Sequence, residues 1–313
     1  MNILIIGDFH ESTVKRIRAC FPEDWDLIFA DSKASDIPLE AADVIIPEHI
    51  RVDAALLDRA PRLRLVQTGA GFDNIDIEGC SRRGIVVCNA AGVNANAVAE
   101  HTLALLLGWY KNIPYLDSFM KSGQAENGLS YSGAELRGKT AGIIGLGATG
   151  LRVAALCRVF GMKVIGCGRR PKESEGIQNA SLDVLLADSD IVSLHVPSTP
   201  ETYHMIDRRS FSLMKSNALL VNTSRGAVID EPALIEALKE HRIAGACLDV
   251  FESEPLSADS GLRTLPNVIL TPHTGGFPDG KGFHKARYEF FAENIRRFQN
   301  GTAPYNMLNS PVI

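Results

Sequence analysis

Three ionisable residues, Arg225, Glu254 and His273, each come shortly after a short apolar run that is typical of a buried strand. Open α/β sheets bind ligands at the carboxyl ends of their parallel strands, so these side chains are the first candidates for chemistry. An arginine can clamp a carboxylate and polarise a neighbouring carbonyl. A histidine exchanges a proton near neutral pH, and a glutamate bonded to its other ring nitrogen favours the charged imidazole. Spacing alone leaves open the alternative that each is an ordinary structural residue.

A glycine-rich turn at 145–150 lies between a predicted strand at 141–144 and a predicted helix. A second strand follows at 163–167, as a strand-helix-strand unit requires. In such a turn the first glycine makes the tight bend, the second lets main chain approach a pyrophosphate, and the third allows close packing of helix on strand. The helix N-terminus then receives the phosphates. This pattern favours a dinucleotide site over a plain structural turn, and its predicted loop residues are Gly145, Gly147, Ala148, Thr149 and Gly150.

The second strand of this unit ends in Gly168-Arg169-Arg170, where an Asp or Glu normally accepts the ribose hydroxyls of the cofactor. A carboxylate would repel a 2′-phosphate, whereas two guanidinium groups can bind one through charge-assisted hydrogen bonds. The sequence therefore predicts NADP(H) as the preferred cofactor, with NAD(H) possible. The alternative is that both arginines face water. With a nicotinamide beside them, the arginine, glutamate and histidine at the strand ends have the chemistry to reduce a 2-keto acid.

Two stretches of alternating strands and helices must position these residues, which predicts parallel, doubly wound sheets. The strands of the first stretch are expected at 3–6, 27–29, 44–46, 63–66 and 85–87. One long helix over 96–120 leads away from this first sheet. The strands of the second stretch are expected near 141–145, 163–167, 191–194, 218–222, 244–248 and 268–271. A helical stripe at 283–298 packs in a core or returns the chain to the first domain.

A second glycine turn, Gly69-Ala70-Gly71, follows the predicted strand at 63–66. The residues after it make a poor helix start, so it is a weaker nucleotide loop than the turn at 145–150. A turn that exposes backbone N–H groups is the better interpretation, and such a turn can hold a carboxylate.

Bulk composition favours small-molecule chemistry. At 313 residues the chain is long enough for two domains, and 45% hydrophobic with 22% charged residues is typical of a globular protein. The net charge of -5 and the scattered basic residues predict neither nucleic-acid nor membrane binding.

Cysteine usage and the N-terminus bear on location. The six cysteines form no C-x-x-C pair and no metal-ligand spacing, which predicts no metal site and a reduced intracellular compartment. The N-terminus lacks the basic start and apolar length of a signal peptide, and the most apolar helix candidate is too short to span a membrane. A cytoplasmic location is therefore expected.

Five ordered motifs resemble those of the D-isomer-specific 2-hydroxyacid dehydrogenase family, over nearly the whole chain. They are Gly145-Leu-Gly-Ala-Thr-Gly150, Leu194-His-Val-Pro-Ser-Thr-Pro-Glu-Thr202, Val221-Asn-Thr-Ser-Arg-Gly226, Leu248-Asp-Val-Phe-Glu-Ser-Glu-Pro255 and Leu270-Thr-Pro-His-Thr-Gly-Gly276. The resemblance implies a flavodoxin-like substrate domain at 1–98 and 284–313, a Rossmann dinucleotide-binding domain at 99–283, and a cleft between them. It also implies a homodimer.

The same resemblance implies roles for particular residues. Arg225 would bind the substrate carboxylate and keto oxygen, His273 would exchange the proton, and Glu254 would orient His273. Ala70 and Gly71 would offer N–H groups to the substrate carboxylate. Further residues would contact the cofactor, with Asp249 near the nicotinamide: Val196, Pro197, Thr202, Thr223, Ser224, Arg225, Asp249, His273 and Gly275.

Departures from the family pattern occur at Lys111, where arginine is common, and at 277–282, which replaces an acidic helix start. Gly168-Arg-Arg170 resembles the subset of NADP-using glyoxylate and hydroxypyruvate reductases, so a small 2-keto acid is the expected substrate. The presence of Glu254 disfavours formate-type chemistry. A D-3-phosphoglycerate dehydrogenase-like enzyme and a dinucleotide-sensing, protein-binding module like the related corepressors stay open as alternatives.

Overall fold

The computed structural model describes residues 1–48, 50–123, 129–130, 133–169, 176–280 and 283–310. It divides into two compact units, the first formed by 1–94 with 277–313 and the second by 95–276. This division falls a few residues before the expected boundaries at 98 and 283, which stay a prediction. The first helix of the second unit already begins at Ala95, and Phe283 is buried in a core cluster of the first unit.

The first unit contains a five-stranded, wholly parallel sheet. Its strands are β1 (Asn2–Ile6), β2 (Asp26–Ala30), β3 (Val44–Pro47), β4 (Leu65–Gln67) and β5 (Val86–Cys88). Their order, β2-β1-β3-β4-β5, is the flavodoxin-like order. Three helices separate the strands: α1 (Glu11–Arg18), α2 (Ala54–Asp58) and α3 (Ile77–Arg82).

Both faces of this sheet are covered, which explains why its strands are apolar throughout. In β1, Ile3 and Ile5 belong to one core cluster while Leu4 and Ile6 belong to another. Successive side chains of a strand point to opposite faces, so a run of four apolar residues fills two cores at once.

The second unit contains a seven-stranded parallel sheet. Its strands are β6 (Thr140–Ile144), β7 (Lys163–Cys167), β8 (Gln178–Asn179), β9 (Ile191–Leu194), β10 (Leu219–Asn222), β11 (Gly245–Leu248) and β12 (Val268–Leu270). Its helices are α4 (Ala95–Tyr110), α5 (Ile113–Lys121), α6 (Ala148–Val159), α7 (Leu182–Asp188), α8 (Arg208–Leu213) and α9 (Glu231–Lys239). The strand order, β12-β11-β10-β9-β6-β7-β8, reverses between β6 and β9, which is the switch point where doubly wound sheets bind ligands. After it, α10 (Lys285–Gln299) belongs to the first unit.

The predicted strands and the α/β fold class are confirmed, and one predicted helix is wrong. The expected single helix over 96–120 is divided into α4 and α5, because Asn112 adopts a left-handed backbone with φ 51°. Pro114 then stands in the first turn of α5, where its missing N–H costs nothing. The short strand β8 was not expected from the sequence.

Helix starts follow from local sequence. Five helices begin after an Asp or Ser side chain that accepts a hydrogen bond from a backbone amide of the first turn. These N-cap residues are Asp53, Asp76, Ser181, Asp207 and Asp230. Within the described ranges, we find no helix with the length and apolar character that crossing a membrane requires.

Candidate active site

The carboxyl edge of the second sheet carries a row of polar residues and one glycine. Each stands one position beyond the last paired residue of its strand, and the row runs Gly145, His195, Thr223, Asp249, Thr271. The amides of Gly145, His195, Asp249 and Thr271 continue the ladder, donating to carbonyls of neighbouring strands at 2.7 to 2.9 Å. This edge is where a parallel sheet presents its ligand-binding groups.

The glycine loop has the backbone that a pyrophosphate site needs. Gly145 has φ 99°, in the left-handed region, and a Cβ there would collide with the carbonyl group of His195. A Cβ at Gly150 would collide with the carbonyl oxygen of Gly145, so α6 packs directly on the loop. A Cβ at Gly147 would meet nothing within 4 Å among the described residues. The structure thus leaves open space at the start of α6, where Ala148 and Thr149 form the first turn.

His195 also stands at this edge and is a candidate site residue that the sequence did not predict. Its Nε2 lies 2.9 Å from the Ser193 hydroxyl, and its Nδ1 is buried with no hydrogen-bond partner among the described residues. Burial lowers the pKa of His195 to about 4, so the ring is neutral near pH 7. An unsatisfied polar atom at this edge fits a ligand that brings its own hydrogen-bonding group. Its position directly after β9 was the available signal.

The predicted discriminating residues follow β7. Gly168 and Arg169 are exposed at its carboxyl end, while Arg170 lies outside the described residues. Arg169 has an acidic neighbour, Glu201, whose pKa is lowered first by the Thr199 hydroxyl and further by the charge of Arg169.

Several residues that are predicted to contact the cofactor form hydrogen bonds within the protein. The Thr202 hydroxyl donates to the Pro197 carbonyl at 2.6 Å, which closes the turn that follows Val196. The Thr223 hydroxyl lies 2.9 Å from that of Thr102 in α4. Contacts of these residues with a cofactor stay a prediction.

His273 and Glu254 form a hydrogen-bonded pair. Nδ1 of His273 lies 2.7 Å from Oε2 of Glu254, and Oε1 accepts a bond from the Phe251 amide at 3.1 Å. Burial alone would raise the pKa of Glu254, but the hydrogen bond and charge of His273, the Phe251 amide and the charge of Arg225 together lower it. Both side chains keep about a third of their surface exposed, 37% for His273 and 34% for Glu254. Glu254 is therefore an ionised, doubly oriented partner of an accessible imidazole.

Asp249 anchors the loop that carries His273. Its carboxylate is 2% exposed and accepts bonds from the Thr271 hydroxyl at 2.6 Å and from the amides of Thr274 and Gly275 at 2.9 Å. His273 itself has φ 52°, and its amide donates to the Asp249 carbonyl at 2.8 Å. The hydrogen bonds from Thr271, Thr274 and Gly275 to this carboxylate all support the loop, and the predicted position of Asp249 near a nicotinamide stays a prediction.

His101 of α4 reaches the same anchor. Its Nε2 lies 3.0 Å from the Thr271 hydroxyl and 3.4 Å from Oδ1 of Asp249. Nothing in the local sequence distinguishes His101 as a site residue, because 148 positions separate it from Asp249 in the chain.

Arg225 stands in the turn after β10. The Asn222 side chain holds this turn: it donates to the Arg225 carbonyl at 2.9 Å and accepts from the Ser224 amide and hydroxyl at 3.0 and 2.8 Å. A Cβ at Gly226 would collide with the backbone of Phe251 and its neighbour, so the Arg225 turn packs against the Glu254 loop. The structure therefore brings all three predicted catalytic residues to one edge of one sheet.

In the first unit, the turn at 69–71 presents its amides. All three of its carbonyls are hydrogen-bonded, to the Ala90 amide at 2.9 Å, the Asn89 side chain at 3.0 Å and the Thr68 hydroxyl at 2.9 Å. Within the described part of the chain, the amides of Gly69, Ala70 and Gly71 donate no hydrogen bond. The turn has the form expected of a carboxylate-binding loop.

Comparison with known proteins identifies the family of this chain. Residues 103–275 match the model of the D-isomer-specific 2-hydroxyacid dehydrogenase NAD-binding domain. The chain is 45% identical to the glyoxylate reductase of Thermococcus litoralis over 84% of this chain and 82% of that protein. It is 38% identical to the D-3-phosphoglycerate dehydrogenase of Archaeoglobus fulgidus over 86% of this chain and 52% of that protein.

A solved structure is similar across both units. The NADPH-dependent glyoxylate/hydroxypyruvate reductase of Sinorhizobium meliloti, in complex with NADP and malonate, superposes with a TM-score of 0.87 and 28% identity, covering 98% of this chain and 96% of that one. Given the confirmed fold and the family match across the dinucleotide-binding unit, this chain belongs to the D-isomer-specific 2-hydroxyacid dehydrogenase family.

Proposed function

We propose that this protein is an NADP(H)-dependent reductase that converts small 2-keto acids of the glyoxylate and hydroxypyruvate type to D-2-hydroxy acids. One observation carries the proposal: His273 is bonded to Glu254 at 2.7 Å, and the Arg225 turn packs against the Glu254 loop. A proton donor, its orienting carboxylate and a carboxylate clamp are therefore adjacent.

The side chains divide the chemistry of reduction among them. The bound nicotinamide supplies the hydride that adds to the keto carbon. Because Nδ1 of His273 is committed to Glu254, Nε2 holds the proton that passes to the keto oxygen. The Arg225 guanidinium binds the substrate carboxylate and stabilises the negative charge that grows on the oxygen. Glu254 stabilises the imidazolium before the transfer, and oxidation reverses each step.

The preference for NADP(H) rests on the end of β7. No acidic residue stands in Gly168-Arg169-Arg170. Arg169 is exposed to solvent, where a 2′-phosphate can reach it. The complex of the Sinorhizobium reductase with NADP supports the same choice. Glu201 opposes it, since its carboxylate lies within electrostatic reach of Arg169. We propose that the arginines outweigh this single acid.

The substrate would also use the amides of Ala70 and Gly71. The carbonyls of Gly69 and Ala70, which share peptide groups with these two amides, are hydrogen-bonded within the protein, so the N–H donors are held in place and available. Two amide donors suit one carboxylate.

A homodimer in the cytoplasm completes the proposal. Large apolar side chains of the second unit are exposed: Ile113 at 56%, Tyr115 at 42%, Met120 at 68% and Val159 at 82%. A second copy of the chain is the proposed cover for them. All six cysteines are free thiols, which fits a reducing compartment.

Initial rates with a panel of substrates test the proposed activity. Glyoxylate, hydroxypyruvate, pyruvate and longer 2-keto acids would each be reduced with NADPH and with NADH. We expect the highest kcat/KM for glyoxylate or hydroxypyruvate with NADPH. D-3-phosphoglycerate would be assayed separately with the oxidised cofactors, and its oxidation without reduction of any keto acid would favour the phosphoglycerate dehydrogenase alternative. Tight cofactor binding without any turnover would favour the corepressor-like module.

A further inference from the structure

We propose that His101 is a positioning residue for His273 and that it acts through Thr271 and Asp249. In this role His101 keeps a proton on Nε2, donates it in a hydrogen bond to the Thr271 hydroxyl, and thereby fixes the loop on which His273 stands. The inference rests on the proposed function for its kinetic consequence, but the proton position can be measured without any turnover.

The bonding pattern determines which atom carries the proton. A hydroxyl has one proton to donate. Asp249 is ionised: burial alone would raise its pKa, but hydrogen bonds from His101, Thr271 and the amides of Thr274 and Gly275 lower it. The Thr271 hydroxyl therefore donates its only proton to the carboxylate, at 2.6 Å. The 3.0 Å bond between Thr271 and His101 then needs its proton from Nε2 of His101.

The same Nε2–H also faces the carboxylate. It lies 3.4 Å from Oδ1 of Asp249, a side chain that is only 2% exposed. Without this donor, one oxygen of a buried charge loses a favourable partner, and the Thr271 hydroxyl loses the group that directs its proton towards Asp249. His101 of α4 thus completes the set of hydrogen-bond donors around the Asp249 carboxylate.

The loop depends on that anchor because His273 has an unfavourable backbone. A left-handed conformation is unfavourable for a non-glycine residue because its Cβ crowds the following carbonyl oxygen, and His273 has φ 52°. The amides of Thr274 and Gly275 secure the chain just after it by donating to Asp249. A Cβ at Gly275 would lie 3.0 Å from Asp249 and 3.1 Å from His101, so the loop packs tightly on both side chains. A small shift here moves the imidazole that faces Glu254.

Two substitutions separate the hydrogen bond from the bulk of the ring. His101→Gln keeps an N–H donor, whereas His101→Met fills similar space without one. The control is Glu100→Gln, which changes the adjacent, exposed residue of α4. Since small misplacements of catalytic groups cost up to about a hundredfold in rate, we expect His101→Met to lower kcat by about 10- to 100-fold. We expect His101→Gln to recover most of that loss and Glu100→Gln to resemble the wild type.

Further measurements distinguish positioning from general damage. The KM for the dinucleotide should change less than about twofold in His101→Met, and the solvent isotope effect on kcat should rise because proton transfer from a displaced His273 limits the rate. An unchanged kcat, or a loss that appears in cofactor KM alone, would overturn the proposal.

Heteronuclear NMR of isotopically labelled histidine tests the proton position in the complete protein. The His101 signal, identified by its absence in His101→Gln, should show protonated Nε2, and the His273 signal should shift in His101→Met. A proton on Nδ1 alone, or an unmoved His273 signal, would overturn the proposal. If the wild type turns over no keto acid, the proposed function is wrong, and this spectrum alone decides the role of His101.

Discussion

Glu254 is held at both carboxylate oxygens: Oε2 lies 2.7 Å from Nδ1 of His273, and Oε1 lies 3.1 Å from the Phe251 amide. The second contact prevents the carboxylate from turning away from the imidazole. A fixed carboxylate also fixes which ring nitrogen stays available to a substrate, because Nδ1 is occupied.

Replacing Glu254 should change the pH dependence of reduction. The lowered pKa of Glu254 keeps its carboxylate charged throughout the neutral range, where it stabilises the imidazolium of His273. In Glu254→Gln this attraction is lost, so the proton donor is depleted at a lower pH. The alkaline limb of the kcat/KM profile for keto-acid reduction should therefore move to lower pH.

A matched control lies two residues away. Glu252 pairs with His204 at 2.8 Å on the same loop, so Glu252→Gln removes a comparable glutamate-histidine pair. Its alkaline limb should coincide with that of the wild type. If the alkaline limb of Glu254→Gln also coincides with that of the wild type, Glu254 does not orient His273.

Removing the guanidinium of Arg225 should abolish most turnover. A charge-assisted bond is worth roughly 1.5 to 3 kcal/mol, so Arg225→Ala should lower kcat/KM by at least about 10- to 150-fold, with more lost if the arginine also stabilises developing charge. Steady-state rates and a circular dichroism spectrum measure the loss and the fold. Arg209→Ala removes an exposed arginine paired with Asp183 and should leave the rates intact. Near-normal rates in folded Arg225→Ala would contradict the assignment.

Cofactor preference should depend on the arginines after β7. If both guanidinium groups bind the 2′-phosphate, NADPH is favoured over NADH by about a hundredfold or more in kcat/KM. The double variant Arg169→Ala with Arg170→Ala should raise KM for NADPH and spare NADH, while Gly168→Asp should favour NADH. Lys163→Ala, at the opposite end of β7, is the control. If the wild-type kcat/KM with NADH equals or exceeds that with NADPH, this proposal is wrong.

Two glycines of one loop should respond differently to the same substitution. A methyl group at Gly147 enters open space in the protein, so Gly147→Ala should keep the wild-type Tm while weakening dinucleotide binding. A methyl group at Gly150 collides with the Gly145 carbonyl oxygen, and such overpacking costs about 1 to 3 kcal/mol. Gly150→Ala should therefore lower Tm without any ligand present. Thermal unfolding and calorimetric titration with NADP measure both effects, and unchanged affinity in Gly147→Ala would place the pyrophosphate elsewhere.

The stability of the first unit should depend on one buried ion pair. Arg287 lies 2.9 Å from Glu48, and both side chains are about nine-tenths buried. Arg287→Met leaves the Glu48 carboxylate without its charged partner, which should lower the free energy of unfolding by about 3 to 5 kcal/mol. Arg296→Met on the same helix breaks an exposed pair with Glu293 and should cost under about 1 kcal/mol. Urea unfolding distinguishes them, and equal costs would mean that the Arg287 pair contributes no more than a surface pair.

The sequence by itself determined every strand except β8, the glycine loop and the identity of the three candidate catalytic residues. These features depend on near neighbours in the chain: apolar runs form strands, and Gly145, Gly147 and Gly150 have the spacing of a turn that enters a helix. The local pattern over 96–120 also predicted helix, but it did not reveal the left-handed residue at Asn112 that divides it.

Only the tertiary structure decided which distant side chains meet. The bond between His101 and Thr271 spans 170 positions, and the Asp249 anchor became visible only when β11 and β12 paired in register. The buried Nδ1 of His195 likewise has no signature in the chain, because burial is set by elements packed around it. Patterns of neighbouring residues specify local backbone, whereas proton positions and pKa values depend on contacts that strand order creates.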